Sequence, residues 1–141
     1  MVIADFEHRL GTELTQIVGL AVAFTAWARQ ALLTQPEIFQ VNLVLEELAT
    51  NAIVHGLGVG QPGWVRLRVT HAGDHLALQV RDNALPFDPF GLPAPELTAD
   101  LDSRPVGGLG VYFVRTLMDQ CSYARVGDEN VVTLRKNLGN R

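Results

Sequence analysis

With 141 residues, 48% of them apolar, the chain is long enough to bury the core of one ordinary domain, and a single domain is expected over residues 1–141. Charged residues make up 18% and the formal net charge is -4, which leaves no broad basic field for a nucleic-acid backbone and argues against direct nucleic-acid binding. Cys121 stands alone, no Cys/His group has zinc spacing, and the apolar run 17–28 falls short of the roughly 20 residues of a membrane span, so a disulfide framework, structural zinc and a membrane anchor are not expected.

Asp5, Glu7, His8 and Arg9 come too early for a secretory signal, so the expected location is cytoplasmic. Phe6, His8 and Leu10 alternate weakly over 4–10 and predict a short edge strand, after which Gly11 and Thr12 open a helix to about residue 33. Thr34 and Gln35 precede Pro36, a residue favoured in a first helical turn, and helical spacing holds over 37–55 until Gly56 and Gly58 stop it. Val65, Leu67 and Val69 alternate with Trp64, Arg66, Arg68 and Thr70, and the rhythm returns in Leu76, Leu78 and Val80, so Ala72-Gly73-Asp74 is the turn of a hairpin. Pro86, Pro89, Gly91, Pro93, Pro95 and Pro105 break the stretch 83–106, and a connection of that length predicts a lid over about 88–106. Residues 110–119 return to helical spacing, and strands at 122–126 and 131–136 flank a turn at Gly127-Asp128-Glu129-Asn130. This order predicts an α+β fold, a two-layer α/β sandwich with helices on one face of a mostly antiparallel mixed sheet.

In the second helix, Val41, Val44, Leu45, Leu48 and Ala52 form an apolar stripe, bordered by Glu47, Asn51 and His55 at i, i+4 and i+8. An amide oxygen can ligate a hard cation while a carboxylate one turn away accepts a proton, a spacing suited to Mg·ATP chemistry. An isolated E-x-x-x-N is more often a solvated helix edge, and His55 suits the partial negative charge of a helix C-terminus better than catalysis. Asp82 follows an alternating strand directly, where an ionised carboxylate can accept a hydrogen bond from an exocyclic amine and so favour adenine over guanine; taken alone, Asp82-Asn83 is also a common turn start. Glycines at 107, 108 and 110 run into a helix, where bare backbone amides can cradle phosphate, or simply form the turn after a proline-rich loop. The order and complementary roles of the three stretches make chance co-occurrence improbable.

These residues resemble the GHKL (Bergerat-fold) ATP-binding superfamily over about 10–137, and within it the small bacterial anti-sigma factor serine/threonine kinases. LEELATNAIVHG is similar to the N-box, DNALPFDP to the first glycine box and GGLG to the second. The resemblance implies Glu47 as general base, Asn51 as Mg²⁺ ligand and Asp82 as adenine contact. It also implies nucleotide contacts from Ala84, Pro86 and Phe87, a phosphate turn at Gly107, Gly108, Leu109 and Gly110, and a strand threonine, Thr133, that helps hold the adenine. The chain departs from the pattern at Ala84, where glycine is usual, implying a loop that approaches the base less closely or is held to negative φ.

Sensor histidine kinases set a phospho-acceptor hairpin ahead of such a domain and gyrases or chaperones add long segments after it, so the short form favours the anti-sigma branch. The implied activity is transfer of the γ-phosphoryl group of ATP, with Mg²⁺, to a serine or threonine of a STAS-type anti-sigma-factor antagonist, together with binding of a sigma factor. The alternatives are a non-catalytic ATP-sensing module that sequesters a partner, and a plain ATPase. The first helix, with Phe24 and Trp27, has the composition for a homodimer contact, although Ile17, Leu20 and Phe24 at helical spacing suit a core better.

Overall fold

Alternation with period two puts every second residue of the central hairpin on one face, and the computed structural model, which describes residues 4–91 and 108–139, shows what covers that face. Strands β1 (Ala4–Leu10), β2 (Val65–His71), β3 (His75–Asp82), β4 (Gln120–Val126) and β5 (Glu129–Asn137) form one sheet in the order β1-β2-β3-β5-β4. Among the described residues every pairing is antiparallel, with no parallel pair of the expected mixed sheet. Helices α1 (Gln16–Gln30), α2 (Gln35–Asn51) and α3 (Gly108–Leu117) complete the described elements apart from two short turns.

The inner face of the sheet carries Val65, Leu67 and Val69, Leu76, Leu78 and Val80, and Val132 and Leu134. Leu20 and Phe24 of α1 and the stripe Val41, Val44, Leu45 and Leu48 of α2 bury it, each full burial stabilising by roughly 1.5–3 kcal/mol. Phe24 is fully buried, with Phe6 at 5.6 Å and Trp27 at 5.7 Å between ring centroids, so it belongs to the core and is not available for a homodimer contact. No helix among the described residues is long and apolar enough to cross a membrane.

The first helix starts at Gln16 rather than near Gly11, and two hydrogen bonds explain the difference. The Gly11 N–H donates to Gln16 Oε1 at 2.6 Å, which ties Gly11 to the first residue of α1, and the Thr12 hydroxyl donates to the Gln61 carbonyl at 2.6 Å, which ties Thr12 to the loop ahead of β2. Helix α2 starts with a capping box: the Glu37 N–H donates to Thr34 Oγ1 at 3.3 Å and the Thr34 N–H to Glu37 Oε1 at 2.8 Å, with Pro36 in the first turn. After Asn51 the chain widens into a π-helical turn, Ala52–Leu57, closed by the Gly58 N–H on the Ile53 carbonyl at 2.7 Å. Gly58 ends it at φ +93°, a conformation that favours glycine. His55 lies within this turn and is exposed.

Candidate nucleotide site between α2, α3 and the end of β3

The apolar stripe of α2 fixes the helix's rotation on the sheet and thereby holds Glu47 and Asn51 on its flank. Asn51 is buried and Glu47 half-buried, one helical turn apart and close enough for the Asn51 amide to favour the ionised carboxylate. Burial pushes the Glu47 carboxyl above the usual carboxylate range; Asn51 and the nearby His55 oppose this only in part, and Glu46 adds to it. The Glu47 carboxylate occupies the space where a side chain on Gly110 would begin, so the first turn of α3 lies directly against it. Glycine at 110 is what permits that approach.

Period two from Leu76, Leu78 and Val80 puts Asp82 on the same helix-facing side, at the end of β3 and opposite Asn130 of β5. Asp82 Oδ1 accepts the Ala84 N–H at 2.9 Å and Asn130 Nδ2 at 2.9 Å, and among the described residues Oδ2 takes no hydrogen bond. Asn130, only 2% exposed, also donates to the Leu85 carbonyl at 2.9 Å. Its Oδ1 accepts the Phe87 N–H at 3.1 Å, the Tyr123 hydroxyl at 2.6 Å and Arg125 Nη1 at 3.3 Å. One buried side chain thus ties the end of β3, the loop 84–87 and strand β4 together. Leu48, Asn51, Val80, Asp82, Phe87 and Asn130 line a cavity of about 20 Å³, completed by Pro89 and Val132.

Asn51, Asp82 and Phe87 therefore share one cavity, with Glu47 a turn away from Asn51 and Gly110 against Glu47. Ala84 is buried at negative φ, its methyl packed toward Gly56, where an added Cβ would lie 3.1 Å from it; a small residue at 56 leaves room for the alanine. Two expected contacts fall elsewhere. Pro86 is exposed, and the buried proline lining the cavity is Pro89. Thr133 is exposed on the opposite face of β5, because the inner positions there are Asn130, Val132 and Leu134. Gly107 and most of the expected lid, 92–106, lie outside the described residues, while Gly108 and Leu109 begin α3. Arg115 of α3 donates to the Phe90 carbonyl and covers the Phe90 ring at 5.4 Å, which links the two borders of that stretch.

The donor set suits a metal that arrives with a nucleotide. Among the described residues no three His, Cys, Asp or Glu side chains gather as a metal cage. Magnesium commonly takes one or two protein oxygens, keeps waters and uses substrate phosphates for the rest. Asn51, buried in the wall of the cavity that holds Asp82, would offer its amide oxygen to such a cation.

Residues 10–136 match the family described as the histidine kinase-like ATPase domain. The chain belongs to that family. It is similar to the serine/threonine-protein kinase BtrW of Bordetella bronchiseptica, 29% identical over 68% of this chain and 68% of the relative. With the serine-protein kinase RsbW of Bacillus subtilis it shares 33% identity over 72% of this chain and 64% of the relative. With the anti-sigma F factor of Anoxybacillus flavithermus it shares 26% over 83% and 81%. The chain thus aligns with about two thirds of the length of the two kinases. A crystal structure of the RsbU and RsbW domains of Rv1364c from Mycobacterium tuberculosis superposes on 96% of this chain and 32% of that one, with a TM-score of 0.65 at 12% identity, a likeness of fold.

Proposed function

We propose that the protein is a cytoplasmic Mg·ATP-dependent serine/threonine protein kinase and anti-sigma regulatory factor, which phosphorylates a STAS-type anti-sigma-factor antagonist and binds a sigma factor. The observation that carries this reading is the Glu47–Asn51 pair at the border of the cavity that holds Asp82, in a family whose relatives include named serine kinases.

Asp82 Oδ2 accepts a hydrogen bond from the adenine amine and disfavours a purine with a carbonyl at that position. Backbone amides at the start of α3 face the phosphates, and residues 88–106 act as the lid. Asn51 supplies an oxygen for magnesium, which when bound offsets charge on the phosphates. Glu47 accepts the proton of the acceptor hydroxyl as that oxygen bonds to the γ-phosphorus. The bond from the γ-phosphorus to the β,γ-bridging oxygen breaks, and its electron pair leaves with ADP.

The test is to incubate the purified protein with γ-labelled ATP and each STAS-type protein of the same genome. Label should pass to one of them, and Glu47→Gln should slow the transfer by about 10²–10⁴-fold. ATP binding with no labelled product would replace this reading by a sensor module, and free phosphate without a labelled protein by a plain ATPase.

A further inference from the structure

Phe39, Leu43, Glu47 and Asn51 follow one another along α2 at four-residue steps, each advancing about 6 Å along the axis. The nucleotide cavity lies at the Asn51 end. At the other end a separate cleft of about 250 Å³ opens between α2 and α3, walled by Leu43, Val44, Phe113, Val114 and Leu117, and its polar group is the Glu47 carboxylate. Leu43 is 39% exposed and Phe113 44%, and Phe39 extends the apolar strip outward at 69%. The cleft is too large for a single water and smaller than the roughly 300–1,000 Å³ of pockets that take drug-sized ligands. Its size suits one or two apolar side chains of a partner, and the Glu47 carboxylate at its inner end disfavours an acid there.

We infer that the α2–α3 cleft docks the acceptor-bearing segment of the phosphorylated protein, and that it selects a bulky apolar residue, with no acid beside it, close to the serine or threonine. The inference rests on the kinase reading above. An acceptor oxygen has to reach Glu47 without displacing the nucleotide, so it comes from the side away from Asn51. On that side an apolar cleft runs straight up to the carboxylate, and a single segment can fill the cleft and present a hydroxyl at its end.

The test measures steady-state phosphotransfer to the antagonist that takes label in the preceding experiment, using Phe113→Ala, Leu43→Ala and Phe39→Ala, with Glu47→Gln alongside. Truncating the cleft should raise KM for the antagonist about tenfold or more while KM for ATP stays within about twofold, and Phe113→Leu should restore most of the loss. Phe39→Ala, at a largely exposed site, secures the result should the Phe113 variant fold poorly. An antagonist KM unchanged in every variant overturns the inference, as does a matching rise in KM for ATP. A loss of self-association with the antagonist KM unchanged would assign the cleft to a second copy of the chain instead. If Glu47→Gln abolishes transfer while the cleft variants behave as the parent, only the docking inference falls; if Glu47→Gln transfers normally, Glu47 is not the proton acceptor and the docking inference, which ends at that carboxylate, falls while the kinase reading stands; if no antagonist takes label, the kinase reading falls as well.

Discussion

Asn130 makes five hydrogen bonds from a site with almost no solvent, and four of them concern the Asp82 carboxylate, the loop after it and Arg125. Removing its side chain leaves buried partners without a substitute, which costs about 1–3 kcal/mol for each group that water cannot reach. Asn130→Ala should therefore lower the urea midpoint by an amount equivalent to about 3 kcal/mol and blunt discrimination between ATP and GTP; an unchanged midpoint would show that the network carries no net stability. The sequence hides this residue, because Gly127-Asp128-Glu129-Asn130 looks like a four-residue turn. The loop is in fact two residues, with Gly127 at φ +58° and Val126 paired to Glu129, a pattern in which glycine takes the first position. The shorter loop returns Asn130 to the strand, opposite Asp82. Glu47 and Asn51 were legible because helical spacing alone puts both beside the apolar stripe, but the pressure of Gly110 on Glu47 arises from a contact between distant segments. Glu47 has a folded-state pKa above its unfolded value, so its contribution to stability is greatest below the unfolded value and is lost as pH rises through the folded one. Glu47→Gln removes a carboxylate that opposes folding at neutral pH. Its urea midpoint should exceed the parent's at pH 7, with the gap closing as pH falls through the carboxylate range; a gap that widens on acidification would contradict the assigned direction.

Helix α3 begins with glycine at 108 and 110, and glycine inside a helix costs about 1 kcal/mol relative to alanine, so a reason is needed for Gly110. The reason is the Glu47 carboxylate lying where its Cβ would be. That carboxylate is the end of a flexible side chain, and burial already disfavours its ionised form, so a methyl at 110 displaces it without breaking the packing of backbone on backbone. Gly110→Ala is thus expected to fold with an unchanged or slightly raised melting temperature, yet to lose phosphotransfer by about tenfold or more because Glu47, the proposed proton acceptor, has moved. Normal turnover in a well-folded Gly110→Ala would remove Glu47 from the reaction. The start of α2 was legible in Thr34 and Pro36, since capping is written in adjacent residues. Its far end was not: a π-helical turn is set by where Gly58 and the Ile53 carbonyl meet, and helical spacing up to His55 gives no sign of it.

Local alternation specified the faces of β2 and β3 and so the existence of the sandwich, but the strand order depends on pairing between β3 and β5, whose Asp82 and Asn130 are 48 residues apart. No local period encodes such a pairing; burial of Val80, Val132 and Leu134 against α2 and α3 selects it. The same closure has a consequence for ligand entry. About 20 Å³ between Asn51, Asp82 and Phe87 holds roughly one water, far less than a purine, so with Asp82 as the proposed adenine contact Phe87 and Pro89 have to move outward before the base reaches it. Their segment is held by the Phe87 N–H on Asn130 and by Arg115 on the Phe90 carbonyl, bonds that can break without disturbing the sheet. Association of Mg·ATP should therefore pass through an opening step, with an observed rate that saturates as ATP rises and an apparent on-rate constant below about 10⁵ M⁻¹s⁻¹. Once bound, the nucleotide stabilises the fold by linkage, about 2.7 kcal/mol at a hundredfold excess over Kd. Stopped-flow mixing with a ribose-labelled fluorescent ATP, for the parent and for Arg115→Ala, separates the possibilities: releasing the clamp should speed association, whereas a rate that climbs linearly with ATP and ignores Arg115 would mean that the cavity needs no opening.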